Sequence, residues 1–329
     1  MIAERPADPL LSFVVPVLDE EGCVDELVRR VRAAARSARV RYEILFVDDG
    51  SRDGTAERIA AQRANDPCVK TIRLTRSFGH QAALVAGLRH ADGDAVVTMD
   101  GDLQHPPECV PALVEAWRAG ADVVNTGRRP PPGHRVSGKD HASRLFYRFL
   151  SWMTAVPVVA TSADFRLLDR KAVDAFNALD EHFLFVRGLI PWMGFPDAFV
   201  PYELEERFAG ESKYDLRRQL RLGLDAVFSF SVIPLRLISM LGLATTLFGV
   251  AFGVFWLVSY FLGRVEGSGG TSIVILILIF GGVQLLSLGI VSEYVGRTYE
   301  EVKRRPRYVI AATDGIERRT SEGDAGRAM

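Results

Sequence analysis

Two long runs without charged residues constrain this chain more than any other feature of its sequence. Leu237–Gly263 contains 27 residues and Gly267–Ser292 contains 26, and only Arg264 and Glu266 between them are charged. About 20 apolar residues suffice for a helix to cross the roughly 30 Å of hydrocarbon in a bilayer. A buried core helix is the alternative for each run, but two such runs joined by a short Gly- and Ser-rich segment favour a transmembrane hairpin.

Basic residues outside the two runs indicate the orientation of the predicted hairpin. The connection between the runs carries only one arginine and one glutamate, whereas both flanks are basic, so both ends are expected on the cytoplasmic side. We see no signal peptide, because the first apolar stretch, Leu10–Leu18, is too short to span and runs into acidic residues. The flanking basic residues are Arg217, Arg218, Arg221, Arg236, Arg297, Lys303, Arg304, Arg305 and Arg307.

The composition of the whole chain averages over the two uncharged runs and the charged remainder of the sequence. The formal net charge is −1, which gives no global basic field for binding nucleic acid, and 48% of residues are hydrophobic, which is too many for a disordered chain. The three cysteines, Cys23, Cys68 and Cys109, form neither a disulfide framework nor a zinc pattern. The sequence predicts a cytoplasmic domain over residues 1–230, a membrane hairpin over 231–297 with helices at about 232–263 and 269–293, and a basic segment over 298–329 that is disordered after Tyr308.

The first part of the cytoplasmic domain alternates between strand-like and helix-like segments. This alternation predicts an α/β fold with a mostly parallel sheet covered by helices. Neither G-x-G-x-x-G after the first strand nor G-x-x-x-x-G-K-[ST] is present, which argues against a dinucleotide dehydrogenase or a P-loop NTPase. Strands are predicted at Leu11–Val17, Glu43–Val47, Val69–Leu74, Ala95–Met99 and Asp122–Asn125, and helices at Val24–Ala38, Thr55–Ala64, Ala82–His90 and Cys109–Ala119.

Two segments beyond this alternation combine large apolar side chains with arginines. They lie near residues 142–153 and 214–230, and the second leads into the first uncharged run. Such a mixture is typical of a helix that lies at a membrane surface, and an ordinary packed helix is the alternative.

Pairs of aspartates follow two of the predicted strands. Asp48 and Asp49 come after the second strand, and Asp100 and Asp102, separated by Gly101, come after the fourth. The carboxyl ends of parallel strands meet at one edge of a sheet, which is where such folds bind ligands. Two adjacent carboxylates can share a Mg²⁺ or Mn²⁺ ion with diphosphate oxygens. A solvated acidic turn is the alternative for each pair alone.

An ordered series of motifs resembles the family 2 glycosyltransferases of GT-A fold. More narrowly, it resembles the bacterial polyisoprenyl-phosphate, or bactoprenol, glucosyltransferases and the related dolichol-phosphate mannose synthases. The resemblance covers about residues 10–310 and includes the hairpin. The motifs are Val14–Glu21 (VVPVLDEE), Val47–Ser51 (VDDGS), Arg76–Gly79 (RSFG), Asp100–Glu108 (DGDLQHPPE), Ala163–Leu167 (ADFRL), Arg207–Tyr214 (RFAGESKY) and the segment Glu293–Tyr308.

This resemblance implies a GT-A catalytic domain followed by a two-helix transmembrane hairpin in a bacterial inner membrane. The implied reaction is an inverting, metal-dependent transfer of a hexose, foremost glucose from UDP-glucose, to undecaprenyl or another polyprenyl phosphate at the cytoplasmic leaflet. The lipid-linked sugar would serve cell-envelope glycan modification. The implied cofactor is Mg²⁺ or Mn²⁺. Besides the nucleotide sugar and the lipid, candidate partners are a second copy of the chain, a flippase or a downstream glycosyltransferase.

Alternatives to this reaction remain open. The donor could be GDP-mannose, UDP-galactose or an aminoarabinose-type sugar, or the chain could be a non-catalytic, membrane-tethered subunit that binds nucleotide sugars. A processive polysaccharide synthase is disfavoured because the chain has no Gln-x-x-Arg-Trp motif. Asp19 stands where the family usually has Asn, and His80 and Gln81 depart from the family pattern near the ribose.

The resemblance also implies roles for individual residues. Asp164 would be a candidate general base, although the acceptor is a phosphate monoester with a second pKa near ~6, which at neutral pH is ionised and needs positioning more than proton removal. We therefore expect Asp164→Asn to lower the rate less than loss of Asp102. The implied nucleotide-sugar site comprises Pro16, Glu20, Asp49 (facing uracil), Asp100 and Gln104; the metal site Asp100 and Asp102; and the phosphate and lipid-phosphate site Arg128, Arg144, Arg207 and Lys213.

Overall fold

The computed structural model describes residues 5–128, 162–179, 186–202, 231, 233–262 and 270–316. These residues fall into two compact units. The first contains the described parts of the chain up to residue 202 together with residues 306–316, and the second contains the two long apolar helices. The predicted surface helices near 142–153 and 214–230 lie outside the described residues.

The first unit is built from eight strands and six helices among the described residues. A single 3-10 turn at Pro107–Cys109 leads into the fourth helix. The strands are β1 Leu10–Val17, β2 Arg41–Asp48, β3 Val69–Leu74, β4 Ala95–Thr98, β5 Val123–Arg128, β6 Ser162–Asp169, β7 Asp197–Tyr202 and β8 Ile310–Asp314; the helices are α1 Val24–Ala38, α2 Thr55–Asn65, α3 His80–His90, α4 Val110–Arg118, α5 Arg170–Asn177 and α6 Val186–Trp192.

The eight strands form one sheet in the order β7-β5-β6-β4-β1-β2-β3-β8. β1 pairs in parallel with β2 and β4, β2 pairs in parallel with β3, and β5 pairs in parallel with β7. β6 is antiparallel to both of its neighbours, β4 and β5, and β8 is antiparallel to β3. The predicted α/β fold is confirmed, and the sheet is mixed because β6 and β8, which the sequence did not predict, run against their neighbours.

The central strand β1 is buried on both faces, as is typical of a parallel strand covered by helices on each side. Its residues Phe13 and Val15 belong to the apolar core that also contains α1 and α4. Val14 points to the opposite face, where a side chain at Gly87 of α3 would overlap it. The glycine therefore allows α3 to pack closely on the sheet, which positions the loop that precedes α3.

The segment after the second apolar run returns to the first unit. Its strand β8 pairs with β3, the Thr75 N–H donates to the Val309 carbonyl at 3.0 Å, and Arg63 Nε lies 2.7 Å from Asp314 Oδ1. The expectation of disorder after Tyr308 is therefore wrong for Ile310–Asp314. The physical reason is that β3 would otherwise end the sheet with unpaired backbone groups, and pairing with β8 satisfies them.

The second unit contains two helices, α7 at Ile233–Phe261 and α8 at Gly270–Lys303. Both contain a stretch long and apolar enough to cross a membrane, at Ile233–Trp256 and Ile279–Lys303. Many of their large apolar side chains are exposed, including Leu243 and Leu285. Helix α8 continues to Lys303, past both the predicted end of the second helix near residue 293 and the predicted end of the hairpin at residue 297. The described residues thus match the expectation of two apolar helices after the α/β unit.

Candidate active site

The loop Asp100–Gly101–Asp102 follows β4 at the carboxyl edge of the sheet. A side chain at Gly101 would come within 2.7 Å of Val17 Cγ1, so the glycine permits the loop to lie against β1. The Asp100 N–H donates to His105 Nδ1 at 3.0 Å, and the Gln104 N–H donates to Asp102 Oδ1 at 3.1 Å. These bonds fold the loop back on itself and hold both carboxylates at the same edge.

The chemistry of this loop fits a hard divalent cation. Asp100 Oδ1 is buried and has no hydrogen-bond partner in the part of the chain that the structure describes. A buried oxygen of this kind is a group that an ion or an ordered water satisfies. Within the described ranges, no cluster of three or more His, Cys, Asp or Glu side chains suits a metal. Mg²⁺ characteristically takes one or two carboxylates and completes its shell with substrate phosphates and water, which two aspartates allow.

Asp164 lies beside this loop because of the register of β6. β6 is antiparallel to β4 with Arg166 opposite Thr98, so the residue two positions earlier in β6 lies next to Asp100. Side chains two apart in a strand share a face, which also places the buried Arg166 on the side of Asp164. The sequence did not predict β6, so this proximity follows from the fold.

The Asp164 carboxylate is surrounded by cationic groups. Arg187 of α6 donates to it twice, from Nε to Oδ1 at 2.9 Å and from Nη2 to Oδ2 at 2.8 Å. Arg166 Nη2 lies 4.0 Å from Oδ1, and His80 Nε2 lies 3.4 Å from Oδ2. The side chain is only 4% exposed. Asp164 is therefore a buried ion-paired group rather than an exposed carboxylate.

This environment determines the acidity of Asp164. Burial alone would raise the pKa of the carboxyl, but the hydrogen bonds and charges of His80, Arg187 and Arg166 outweigh burial and hold the pKa far below its usual range. A carboxylate whose conjugate acid is that strong accepts protons poorly, since general-base catalysis works best with a pKa near the working pH. The low pKa and the two hydrogen bonds from Arg187 both make Asp164 a weak proton acceptor.

His80 connects Asp164 to the Asp100 loop. It is the first residue of α3, and its Nε2 lies 3.5 Å from Asp100 Oδ1 as well as 3.4 Å from Asp164 Oδ2. Burial would lower the pKa of this imidazole, but the two carboxylates raise it overall. The ring thus bridges the two acidic groups of the site.

Asp49 fixes the loop that leads to His80. Its carboxylate accepts hydrogen bonds from Ser77 Oγ at 2.7 Å, the Phe78 N–H at 2.7 Å and the Gly79 N–H at 2.9 Å. Gly79 has a φ of +96°, which favours glycine. The neighbouring Asp48 is fully buried and accepts from the Ser51 N–H at 2.7 Å. Asp49, which the resemblance implies as a contact for uracil, therefore also anchors the start of α3.

Other predicted residues surround the same edge. Pro16 lies in β1, and its carbonyl oxygen would lie 3.3 Å from a side chain at Gly101. The Glu20 N–H donates to Thr55 Oγ1 at 2.9 Å in the turn after β1. Burial first, and then the charge and hydrogen bond of Glu20 and the charge of Asp102, raise the pKa of the Cys23 thiol to about 11.

The side chains of the four predicted phosphate-binding residues lie outside the described part of the structure. Arg128 ends β5, but its side chain lies outside the described residues, as do Arg144, Arg207 and Lys213 entirely. The other predicted site residues lie within the described part of the chain, around the carboxyl edge of the sheet. They are Pro16, Glu20, Asp49, Asp100, Asp102, Gln104 and Asp164.

Three further residues of the site were not predicted. His80 appeared in the sequence only as a departure from the family pattern, whereas Arg187 gave no signal at all. Arg187 reaches Asp164 because Gln81, next to His80, accepts the Val186 N–H at 3.2 Å and ties the start of α6 to α3. The buried His105 stacks on Phe165 with ring centroids 5.3 Å apart, and its Nδ1 accepts the Asp100 N–H.

Comparison with known proteins agrees with this architecture. The family model described as glycosyl transferase family 2 matches residues 12–176. The chain belongs to this family, and it is a glycosyltransferase with a GT-A-like catalytic domain followed by two apolar helices.

Individual relatives are similar over almost their whole length. An uncharacterized glycosyltransferase, YkcC, of Bacillus subtilis (strain 168) is 40% identical over 308 residues, which cover 93% of this chain and 94% of the relative. The bactoprenol glucosyl transferase of Shigella phage SfII is 37% identical over 302 residues, which cover 91% and 97%. Among solved structures, mannosyl-3-phosphoglycerate synthase from Rubrobacter xylanophilus is similar with a TM-score of 0.47 and 19% identity, covering 67% of this chain and 72% of that chain.

Proposed function

We propose that this glycosyltransferase transfers a hexose from a nucleotide sugar to the phosphate of a polyprenol, with UDP-glucose as the foremost donor and undecaprenyl phosphate as the foremost acceptor. The observation that carries the proposal is the paired-carboxylate loop, with its unsatisfied Asp100 oxygen, in a chain that also has two long apolar helices. The 37%-identical relative named bactoprenol glucosyl transferase supports the same acceptor class.

Asp100 and Asp102 would hold a Mg²⁺ or Mn²⁺ ion together with the diphosphate of the donor. Bound there, the ion supplies neutralising charge for the departing diphosphate. Gln104 completes the loop by donating its N–H to Asp102, which keeps that carboxylate oriented. Pro16, Glu20 and Asp49 would line the nucleoside side of the pocket.

The transfer itself needs no proton acceptor. A phosphate oxygen of the lipid attacks the anomeric carbon, the bond from that carbon to the diphosphate oxygen breaks, and the electron pair leaves with the nucleoside diphosphate. The acceptor is largely ionised at neutral pH because the second pKa of a phosphate monoester is near ~6. A single displacement of this kind inverts the anomeric configuration, so an α-linked donor gives a β-linked lipid phosphate.

Within this proposal, Asp164 acts by fixing its cationic neighbours. Its bidentate bond holds the Arg187 guanidinium, whose side chain is still 45% exposed, at the edge of the site. A cation there reduces the repulsion between two phosphate groups that must approach each other. Arg128, Arg144, Arg207 and Lys213 are the further basic side chains that we propose for the diphosphate and the lipid phosphate.

The two apolar helices provide the reason for membrane attachment. A polyprenyl phosphate keeps its hydrocarbon tail in the bilayer, so an enzyme that acts on it must work at the headgroup plane. We propose that α7 and α8 span the membrane and that residues 1–230 and both termini face the cytoplasm, in agreement with the basic flanks of the hairpin. In a bacterium this is the inner membrane.

A direct assay tests the proposal. Purified full-length protein is incubated with radiolabelled UDP-glucose, undecaprenyl phosphate and Mg²⁺ or Mn²⁺, and labelled lipid is extracted and counted. We expect labelled lipid that forms only with acceptor and metal present, and none with a variant carrying Asp100→Asn and Asp102→Asn together. Absence of labelled lipid with UDP-glucose, GDP-mannose, UDP-galactose and an aminosugar donor alike would falsify the enzyme assignment.

A further inference from the structure

Several hydrogen bonds join the loop after β1 to the loop after β2. β1 and β2 are parallel neighbours with Val17 opposite Asp48, and the Asp49 N–H donates to the Val17 carbonyl at 3.0 Å. The two loops therefore leave the sheet side by side at its carboxyl edge. Each loop carries a residue proposed for the nucleoside side of the pocket, Glu20 in the first and Asp49 in the second.

Asp19 makes two of the bonds between the loops, one from its backbone and one from its side chain. Its N–H donates to Ser51 Oγ at 3.0 Å, and its Oδ1 accepts the Arg52 N–H at 2.8 Å. Its φ of 56° lies in the left-handed region, which Asp and Asn adopt more readily than other residues with a side chain. Asp19 thus binds two consecutive residues of the second loop, just after Asp49.

Three further bonds continue the connection along both loops. The Glu20 N–H donates to Thr55 Oγ1 at 2.9 Å, the Glu21 N–H donates to Asp53 Oδ2 at 3.2 Å, and the Gly54 N–H donates to Glu21 Oε2 at 3.1 Å. A side chain at Gly54 would come within 2.8 Å of the Glu21 carboxyl carbon, so the loops are in close contact there. The loops are therefore held at a fixed separation.

We propose that Asp19 is a positioning residue for the nucleoside part of the donor, acting through its hydrogen bond to the Arg52 N–H. This bond keeps Glu20 and Asp49 at the separation that the nucleoside requires. The inference rests on the proposed function through the nucleoside pocket. Asp19 acts through the two loops and does not touch the reacting atoms, so its loss weakens binding of the donor before and during the reaction alike. Such a loss raises KM and leaves kcat unchanged.

Three substitutions separate the side-chain acceptor of Asp19 from its backbone conformation. Asp19→Asn keeps an acceptor oxygen and tolerates the positive φ. Asp19→Gly keeps the backbone conformation but removes the acceptor, and no core contact is lost because Asp19 is exposed. Ser51→Ala removes the acceptor of the Asp19 N–H. Asp8→Gly is the matched control, because Asp8 precedes β1 at the opposite end of this strand and its exposed carboxylate pairs with Arg41.

The experiment is a calorimetric titration of the full-length, detergent-solubilised protein with UDP and Mg²⁺, or with GDP if UDP does not bind, without any turnover. We expect Asp19→Gly to weaken nucleotide binding about 5- to 10-fold, as loss of one hydrogen bond to a charged group predicts, and Ser51→Ala to weaken it about threefold or more. Asp19→Asn and Asp8→Gly should stay within about threefold of the unchanged protein. In the labelled-lipid assay, KM for the donor should rise with the dissociation constant while kcat stays within about twofold.

Each outcome decides the inference separately from the function. If Asp19→Gly binds the nucleotide as tightly as the unchanged protein, or lowers kcat and leaves KM unchanged, Asp19 does not position the nucleoside. If thermal unfolding shows that Asp19→Gly is not folded, Ser51→Ala decides by the same criteria. If the unchanged protein binds neither UDP nor GDP, the inference is wrong. If nucleotide binding follows the expected pattern but no labelled lipid forms, the inference stands and the proposed acceptor is wrong.

Discussion

Asp100 and Asp164 lie at neighbouring positions on the same sheet edge, but their surroundings differ. The Asp100–Gly101–Asp102 loop carries an oxygen without a hydrogen bond among the described residues, and the Asp100 side chain is 34% exposed. Asp164 is 4% exposed and is bonded to Arg187 through both oxygens. The two carboxylates therefore differ in their partners: one oxygen of Asp100 has no hydrogen bond among the described residues, whereas both oxygens of Asp164 accept from Arg187.

The comparison also explains why the site can dispense with a base. Burial alone would raise the pKa of Asp164, but its contacts with His80, Arg187 and Arg166 outweigh burial and hold this pKa far below its usual range, so the carboxylate is a poor proton acceptor. An ionised phosphate acceptor needs no deprotonation. In the proposed mechanism, the Asp100–Gly101–Asp102 loop holds the donor diphosphate and its metal, and the buried Asp164 holds the cationic side chains around it.

The largest effect is expected from loss of charge in the paired-carboxylate loop. Asp102→Asn removes one of two anionic ligands proposed for the metal, and we expect the initial rate of lipid glucosylation to fall at least about 100-fold, because several kcal/mol of charge stabilisation are lost. Glu26→Gln is the control, since Glu26 hydrogen-bonds to Arg29 within α1, away from the paired-carboxylate loop, and its loss should leave the rate unchanged. If Asp102→Asn kept more than a tenth of the rate, Asp102 would not be a metal ligand.

A smaller effect is expected at Asp164. Asn keeps one acceptor for Arg187 but loses the charge, so we expect Asp164→Asn to lower kcat about 10-fold, below the 10²- to 10⁴-fold range of general-base catalysis. The low pKa of Asp164 predicts no change in the pH profile. In both proteins, the rate should fall as the pH drops through about 6, where the acceptor phosphate becomes protonated.

The measurement for this prediction is kcat between pH 5 and pH 9 for the unchanged protein and for Asp164→Asn. Parallel curves support the anchoring role. If the variant no longer showed the decrease of kcat at low pH, and if its kcat fell by more than about 100-fold, Asp164 would be the general base.

An effect of a few-fold is expected at Arg187. Lysine keeps the charge but cannot form two parallel hydrogen bonds with one carboxylate, so Arg187→Lys should lower kcat about 3- to 10-fold. Because Arg187 and Asp164 act as one pair, the double variant with Asp164→Asn should lose little more than the worse single variant. Additive losses in this double-mutant cycle would show that the two residues act independently.

The smallest effect is expected far from both carboxylates, at β8. Asp314 pairs with Arg63 on the surface, and its side chain is 64% exposed. Asp314→Ala should lower the free energy of unfolding by at most about 1 kcal/mol and leave the rate unchanged. A shift of the unfolding temperature larger than a few degrees, or a change in rate, would show that β8 contributes to the site and not only to the sheet edge.

The elements that could be predicted are those with a strong apolar pattern. The first five strands and the four helices between them follow from such patterns, as do the two apolar helices. β6 escaped prediction because Asp164 and Arg166 interrupt its apolar residues, and these charges are tolerated only because they pair inside the fold. β8 (IAATD) has no strand pattern of its own and forms because β3 offers a free edge.

The residues of the candidate site also fall into those that a local motif predicts and those that only the fold brings together. Asp100 and Asp102 could be predicted from their motif, since a turn after a strand needs no distant partner to place two carboxylates together. His80 and Arg187 could not, because their contacts with Asp164 depend on β6, α3 and α6 meeting in space. The acidity of Asp164 likewise comes from these tertiary neighbours, which no local pattern shows.

The most direct test of the account is the ratio of two rates measured side by side, with full-length Asp102→Asn and Asp164→Asn converting labelled UDP-glucose and undecaprenyl phosphate at neutral pH with Mn²⁺. We expect Asp164→Asn to make labelled lipid about 10-fold or more faster than Asp102→Asn, because of these two residues only Asp102 is proposed to bind the metal. Equal losses in the two variants would contradict it and make proton removal by Asp164 the better explanation.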